Sequence, residues 1–368
     1  MNIYVGLNVL LITGYYLLLS INSFRVEVIE EKKKYRVKPI YAVLFLIPIL
    51  IMAVTRDKYF GDTYMYSIGY DRIPLPVGEF IGYLQSNPKD FGFSILSWLI
   101  KLFGFDYRGL FFVVALIQCW ALYHVYQKYS PNYYLSVLLF VLSTDYYSWM
   151  FNGIRQFLAV SIVFAGTSLI LERKYTRMIL LILLASTFHQ SALLMIPFIF
   201  LVNGEAFNKR MLLIAAGIVL SLVFLSQFTN LMDGVLQNTQ YKNVVSDYQY
   251  GDFSEDNGTN PIRVLVYAVP TIISLVGMKI IRKKGGPIIN LSTNMSLIST
   301  GIYIISIFTS GIFIGRLPIY FSLWNYILLP WEINNVFKEK DRIFLTALLL
   351  FFYCIFFNFQ MSTTWKIY

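Results

Sequence analysis

Charge is scarce in this sequence. Only 14% of its 368 residues are Asp, Glu, Lys or Arg, too few to clothe a soluble chain of this length. Cysteine is scarcer: Cys119 and Cys354 are the only two, and both sit inside apolar runs. That excludes a disulfide framework and a cysteine metal site, and leaves two small buried hydrophobes. Histidine also occurs twice, as His124 and His189. The chain has no Walker loop, no HExxH, no CxxC and no Gly-x-Ser-x-Gly, so a serine hydrolase built on the last pattern is unsupported.

Apolar length takes the place of these features. Hydrophobic residues make up 57% and mean hydropathy is +0.61. A single soluble core stops growing well before it can hide this much apolar surface. Residues 1–21 and 211–232 carry no charged side chain, and each reaches the roughly 20 residues needed to cross about 30 Å of hydrocarbon. The net charge of +10 does not point to nucleic acid. The basic residues fall in short clusters between apolar runs, as they do where charge sets membrane orientation. The first run lacks a basic stretch before it and a small-residue cleavage site after it, so a retained first helix is expected.

Spanning candidates lie at 3–21, 39–55, 108–126, 132–149, 153–171, 211–232, 261–281, 289–314, 317–336 and 343–359. Segments 91–105 and 178–202 are ambiguous, the second being interrupted by His189 and Pro197. Basic residues within 25–38, 173–177, 209–210, 282–284 and 338–342 place those loops in the cytoplasm. Segment 233–260 has one Lys against five acidic residues and should face outside. Parity then requires 91–105 to dip in and return, and 178–202 to form two half-helices meeting near His189, as is tolerated around an enclosed wet cavity. The expected fold is therefore all-α: one polytopic transmembrane domain, 1–368, of about 10–12 membrane segments with a short re-entrant segment and a broken helix pair. Its external loops would be about 56–107 and 233–260, with both termini outside.

Polar residues beside membrane helices are functional candidates, and four groups stand out. The first is Arg56-Asp57-Lys58-Tyr59-Phe60-Gly61-Asp62-Thr63-Tyr64-Met65-Tyr66. Arg56 and Lys58 can hold phosphate, Asp62 can accept a proton from a hydroxyl, and the tyrosines can stack on sugars or simply anchor an interfacial loop. The second is Asn152-Gly153-Ile154-Arg155-Gln156, where Asn152, Arg155, Gln156 and Ala159 would share one helical face. Arg155 there either serves a site or pairs with a carboxylate for packing. The third is His189, suited to proton transfer or phosphate contact, or to plain packing; His124 reads as structural. The fourth is Gly315-Arg316-Leu317-Pro318-Ile319-Tyr320-Phe321, otherwise an ordinary outer-loop arginine. Cations, bases and rings on the outer side of a bundle fit an anionic lipid-linked sugar.

These same elements resemble the EpsG family of Wzy-like polysaccharide polymerases, proteins of the bacterial cytoplasmic membrane. The resemblance rests on Arg56 with Gly61-Asp62-Thr63 and Tyr66, and on Asn152 through Gln156 with Ala159. It also rests on Ala185 through Phe188-His189-Gln190-Ser191-Ala192 to Pro197, and on Arg316-Leu317 with Tyr320-Phe321 and Leu329-Pro330. It implies an undecaprenyl-diphosphate-linked oligosaccharide as substrate, extended at the outer face into an exopolysaccharide or capsule, without metal or cofactor. Arg56, Arg155 and Arg316 are then the candidate diphosphate ligands, and Asp62 and His189 the candidate bases. Thr63, Tyr66, Asn152, Gln156 and Tyr320 would position the glycan. Other polysaccharide synthesis and export proteins are candidate partners beside the bilayer. The competing classes are a flippase for the same lipid-linked sugar, a non-catalytic synthase subunit, and a membrane O-acyltransferase, which His189 alone does not establish.

Overall fold

The computed structural model describes residues 3–29, 32–236 and 258–365, and they are overwhelmingly helical. Backbone contacts divide the chain into two compact units, 1–196 with 340–368, and 197–339.

The first unit opens with α1 (Ile3–Ser20), the strands β1 (Phe24–Ile29) and β2 (Lys32–Val37), and α2 (Pro39–Thr55). Pro39 starts α2 because its fixed φ suits a first helical turn and its missing N–H costs nothing there. Three short helices follow, α3 (Thr63–Asp71), α4 (Val77–Ser86) and α5 (Phe91–Leu102), then the long α6 (Tyr107–Tyr129). Asp106 caps α6 by accepting from the backbone N–H groups of Arg108 and Gly109, which satisfies two donors that the helix itself leaves open. Next come α7 (Tyr133–Leu142), α8 (Asp145–Phe151), α9 (Ile154–Ala165), α10 (Thr167–Leu171) and α11 (Tyr175–Phe188). A 3-10 turn, Gln190–Leu194, leads into α12 (Met195–Leu201), most of which belongs to the second unit, and the helix Arg342–Thr363 completes the first.

One apolar cluster joins four helices of this unit. Tyr70 of α3, Phe93 and Ile100 of α5, Leu110, Phe111 and Val114 of α6, and Ile154 and Leu158 of α9 are all buried together. Each such side chain contributes roughly 1.5–3 kcal/mol on burial, so α3 and α5 are held firmly against α6 and α9. A second group of rings surrounds Phe60: Tyr4 and Trp365 stack on it and Phe151 meets it edge-on. The loop between α2 and α3 is thereby packed rather than loose.

In the second unit, α13 (Lys209–Val223) and α14 (Leu225–Leu236) precede the helices Pro261–Val276, Met278–Lys284, Pro287–Ile307 and Asn325–Asn335. Asn294 stitches its interior, donating to the carbonyls of Val202 and Glu205 and accepting from the N–H of Phe207. The buried carboxyl of Glu332 accepts from the Ser274 hydroxyl at 2.6 Å.

Among the described residues three helices are long and apolar enough to cross a membrane, Tyr107–Tyr129, Pro287–Ile307 and Glu339–Thr363, and two bent pairs would bring the number to five. Several expected spans are thus not single straight helices among the described residues. Segment 211–232 bends by 102° at the α13–α14 junction, where the chain turns polar with Ser226, Gln227, Thr229 and Asn230. Segment 261–281 bends by 74° near Gly277. Segment 132–149 breaks at Thr144, which takes φ +64°, while the Ser143 and Thr144 hydroxyls bond nearby carbonyls in place of a continuing ladder. Segment 91–105 is a 12-residue helix, about 18 Å long and too short to cross. Segment 178–202 does break at His189. The linker 25–38 is built on two antiparallel strands, in register from Phe24 opposite Val37 to Ile29 opposite Lys32. Most of the expected outer loop 233–260 lies outside the described residues.

Candidate functional site

A cavity of about 290 Å³ opens in the first unit, lined by α3, α4, α5 and the starts of α6 and α9. Three residues singled out from the sequence line it together: Asp62, Tyr66 and Arg155. Tyr70, Tyr83, Phe93, Ser94 and Ser97 complete an aromatic and hydroxyl wall that the sequence alone did not mark.

Asp62 reaches the cavity because the turn before it is tightly built. Gly61 takes φ +50°, and a Cβ there would sit 2.3 Å from Oδ1 of Asn152. That oxygen accepts the backbone N–H of Asp62 at 2.7 Å. Asn152 therefore does not lie on the face of α9 as the three- and four-residue spacing suggests. It precedes the helix, whose N-cap is Gly153, and it clamps the Gly61-Asp62 turn. Gln156 and Ala159 of α9 are buried.

Arg155, in the first turn of α9, is half exposed and holds Oδ2 of Asp90 at 2.8 Å. Its guanidinium carbon lies 5.7 Å from the centroid of the Tyr66 ring, and the Tyr66 phenol oxygen accepts from it. Asp90 is only 3% exposed. Burial pushes its carboxyl above the usual carboxylate range, against the opposing pull of Arg155, Lys89 and the backbone N–H of Gln190. Burial likewise raises the Tyr66 phenol, and Arg155 opposes it.

Arg56 does not line the cavity. It is 9% exposed, donates from Nε to Thr63 Oγ1 at 2.9 Å and from Nη1 to the Ala53 carbonyl, and lies over the Phe111 ring at 3.8 Å. Thr63 in turn donates to the Phe60 carbonyl. Burial pushes the Arg56 guanidinium down to about 9, which leaves it charged at neutral pH. His189 also lies off the cavity wall. Its Nδ1 meets Ser191 Oγ at 2.6 Å at the junction of α11 and the 3-10 turn. The adjacent Gln190 N–H reaches Asp90, so this break abuts the site through backbone. Arg316 ends a one-turn 3-10 helix in the second unit, half buried, and Tyr320 is buried beyond it.

Helical, apolar and carrying a cavity in which a carboxylate, an arginine and tyrosines meet, the chain is a multi-pass membrane protein. The family model described as "EpsG family" matches residues 39–366, and the chain belongs to the EpsG family. No curated protein and no solved structure matches it.

Proposed function

We propose that the protein is a membrane glycosyltransferase that polymerises lipid-diphosphate-linked repeat units at the outer face of the cytoplasmic membrane. The observation that carries this reading is the meeting of Asp62, Tyr66 and Arg155 around one cavity. Arginine suits a diphosphate because its planar fork pairs with phosphate oxygens, so Arg155, which lines the cavity, is assigned to the lipid diphosphate. Arg56 supports the 56–63 turn that carries Asp62. Tyr66, Tyr70 and Tyr83 offer rings to the glycan.

In the transfer, an acceptor hydroxyl oxygen attacks the anomeric carbon of the donor glycan. The bond from that carbon to the diphosphate oxygen breaks, and the lipid diphosphate leaves with the bonding electrons. The hydroxyl proton passes to a base, assigned to Asp62, whose carboxylate lines the cavity and can accept it. His189 is the alternative.

The test is purified protein in lipid with a synthetic lipid-diphosphate repeat unit, followed by gel separation of the products. A ladder supports the polymerase. Substrate that crosses the bilayer unchanged would instead mark a flippase, and substrate that neither grows nor crosses a non-catalytic subunit.

A further inference from the structure

Asp90 belongs to no motif picked out from the sequence, yet three parts of the site converge on it. It precedes α5 with φ +52°, a left-handed conformation that is unfavourable for a non-glycine residue and that packing must therefore hold. The packing is visible next door: a Cβ on Gly92 would sit 2.2 Å from Thr187 Oγ1 near the end of α11. The Asp90 carboxylate holds Arg155 of α9 through Oδ2, and the nearby backbone N–H of Gln190, just past His189, favours its charged form. Asp90 is almost wholly buried, whereas the Arg155 side chain it grips remains 39% exposed and lines the cavity.

We propose that Asp90 is the positioning residue of this site, holding Arg155 in the orientation that meets the anionic part of the substrate. This rests on the polymerase reading for the substrate's identity. The physical reason is preorganisation. A long arginine side chain loses rotamer freedom when it binds an anion, and a buried partner that fixes it beforehand removes that loss from the binding step. The pairing also accounts for a carboxylate kept in a costly environment, since a buried charge is tolerated only when paired.

A double-mutant cycle on full-length protein in phospholipid nanodiscs tests this. Asp90→Asn, Arg155→Gln and the double variant are compared for KM and kcat with the lipid-diphosphate repeat unit, for affinity toward a synthetic polyprenyl diphosphate lacking sugar, and for Tm. Asp90→Asn should weaken diphosphate affinity and catalytic efficiency by about 10- to 100-fold, the scale set by a misplaced binding group. In the Arg155→Gln background the same change should have almost no effect on either. Asp90→Glu, which keeps the charge, should recover part of the loss, and it carries the cycle if Asp90→Asn does not fold. Effects that multiply in the double variant, or wild-type protein with no affinity for polyprenyl diphosphate, would overturn the positioning role. Absence of a ladder from wild-type protein refutes only the polymerase reading, because the affinity cycle still decides on Asp90.

Discussion

The backbone N–H of Asp62 donates to Oδ1 of Asn152 at 2.7 Å, across 90 positions of sequence. One bond thus joins the turn before α3 to the turn before α9, and those two helices bring Asp62, Tyr66 and Arg155 to the cavity. The side chain of Asn152 is spent on placement, leaving direct contact with substrate to its neighbours.

Gly61 makes that approach possible in two ways, through its left-handed φ of +50° and its missing Cβ. Gly61→Ala should cost about 1–2 kcal/mol from the backbone and about 1–3 kcal/mol from overpacking against Asn152. Thermal unfolding in detergent should show a clear drop in Tm together with lost activity. Adding Asn152→Ala should restore the packing part of the Tm and leave activity low, because the Asp62 N–H then has no acceptor. An unchanged Tm in Gly61→Ala would contradict the geometry.

Arg155 and Arg56 should respond differently to lysine. Lysine cannot reproduce the arginine fork, so Arg155→Lys should lose most polymer while the half-exposed site leaves Tm nearly unchanged. Arg56→Lys disturbs a buried side chain bonded to Thr63 and Ala53 over Phe111. Leaving such a buried acceptor unmet costs about 1–3 kcal/mol, so its Tm should fall and its membrane yield with it. Equal Tm losses in the two variants would remove the distinction between binding and supporting arginines.

Part of this arrangement was legible in the sequence. Helix α2 spans 39–55 as expected, since Pro39 starts it and Arg56 follows its last residue, Thr55. His189 interrupts an apolar run, and the helix does end there. The bends at Thr144 and Phe224 were not legible, because hydropathy counts apolar length and is blind to the single backbone angles that break a helix. The strand pair at 24–37 carried a period-two pattern in Phe24-Arg25-Val26-Glu27-Val28-Ile29, masked by its lysines. Asp90 gave no local signal at all. It follows Asn87-Pro88-Lys89 like any loop aspartate, and its partner lies 65 positions away. Periodicity tells which residues share a face, but pairing partners come only from packing.

The raised carboxyl of Asp90 has a thermodynamic consequence. An unfolded aspartate releases its proton near pH 3.9, whereas in the folded protein burial delays release to higher pH despite Arg155 and Lys89. Between those two points the folded state binds more protons, so stability must fall as pH rises through the window and level off above it. The Tm of wild-type protein minus that of Asp90→Asn should therefore decline from about pH 4 upward and flatten. Arg155→Gln should extend the decline to higher pH by removing an opposing cation. A difference that rises with pH would mean that the ion pair, not burial, dominates at Asp90.

Orientation can be read by labelling. Basic residues in 25–38 assign that linker to the cytoplasm and the acidic 233–260 segment to the outside. A membrane-impermeant thiol reagent applied to intact cells should modify Tyr250→Cys and spare Lys33→Cys, in a background with Cys119 and Cys354 replaced by Ala. The opposite pattern would turn the assignment over and place the Asp62 cavity on the cytoplasmic side.

The identity of the base separates Asp62 from His189. A lipid diphosphate leaves as a stable anion, so the transfer makes little demand for an acid; the demand falls on the acceptor hydroxyl, which must lose its proton as it attacks. Asp62 lines the cavity beside Tyr66, within the wall a sugar would meet. His189 lies off that wall with Nδ1 engaged by Ser191, and its connection to the site runs through the Gln190 backbone and Asp90. Removing a general base typically costs about 10²–10⁴-fold, and an amide cannot replace it. Asp62→Asn should therefore lose turnover on that scale, with KM changed much less. His189→Gln, which keeps a hydrogen-bonding side chain at the helix break, should retain a measurable fraction. Turnover measured at matched membrane abundance decides the matter: it should nearly disappear in Asp62→Asn and persist in part in His189→Gln. Full activity in Asp62→Asn would eliminate the assignment and leave His189 as the remaining candidate.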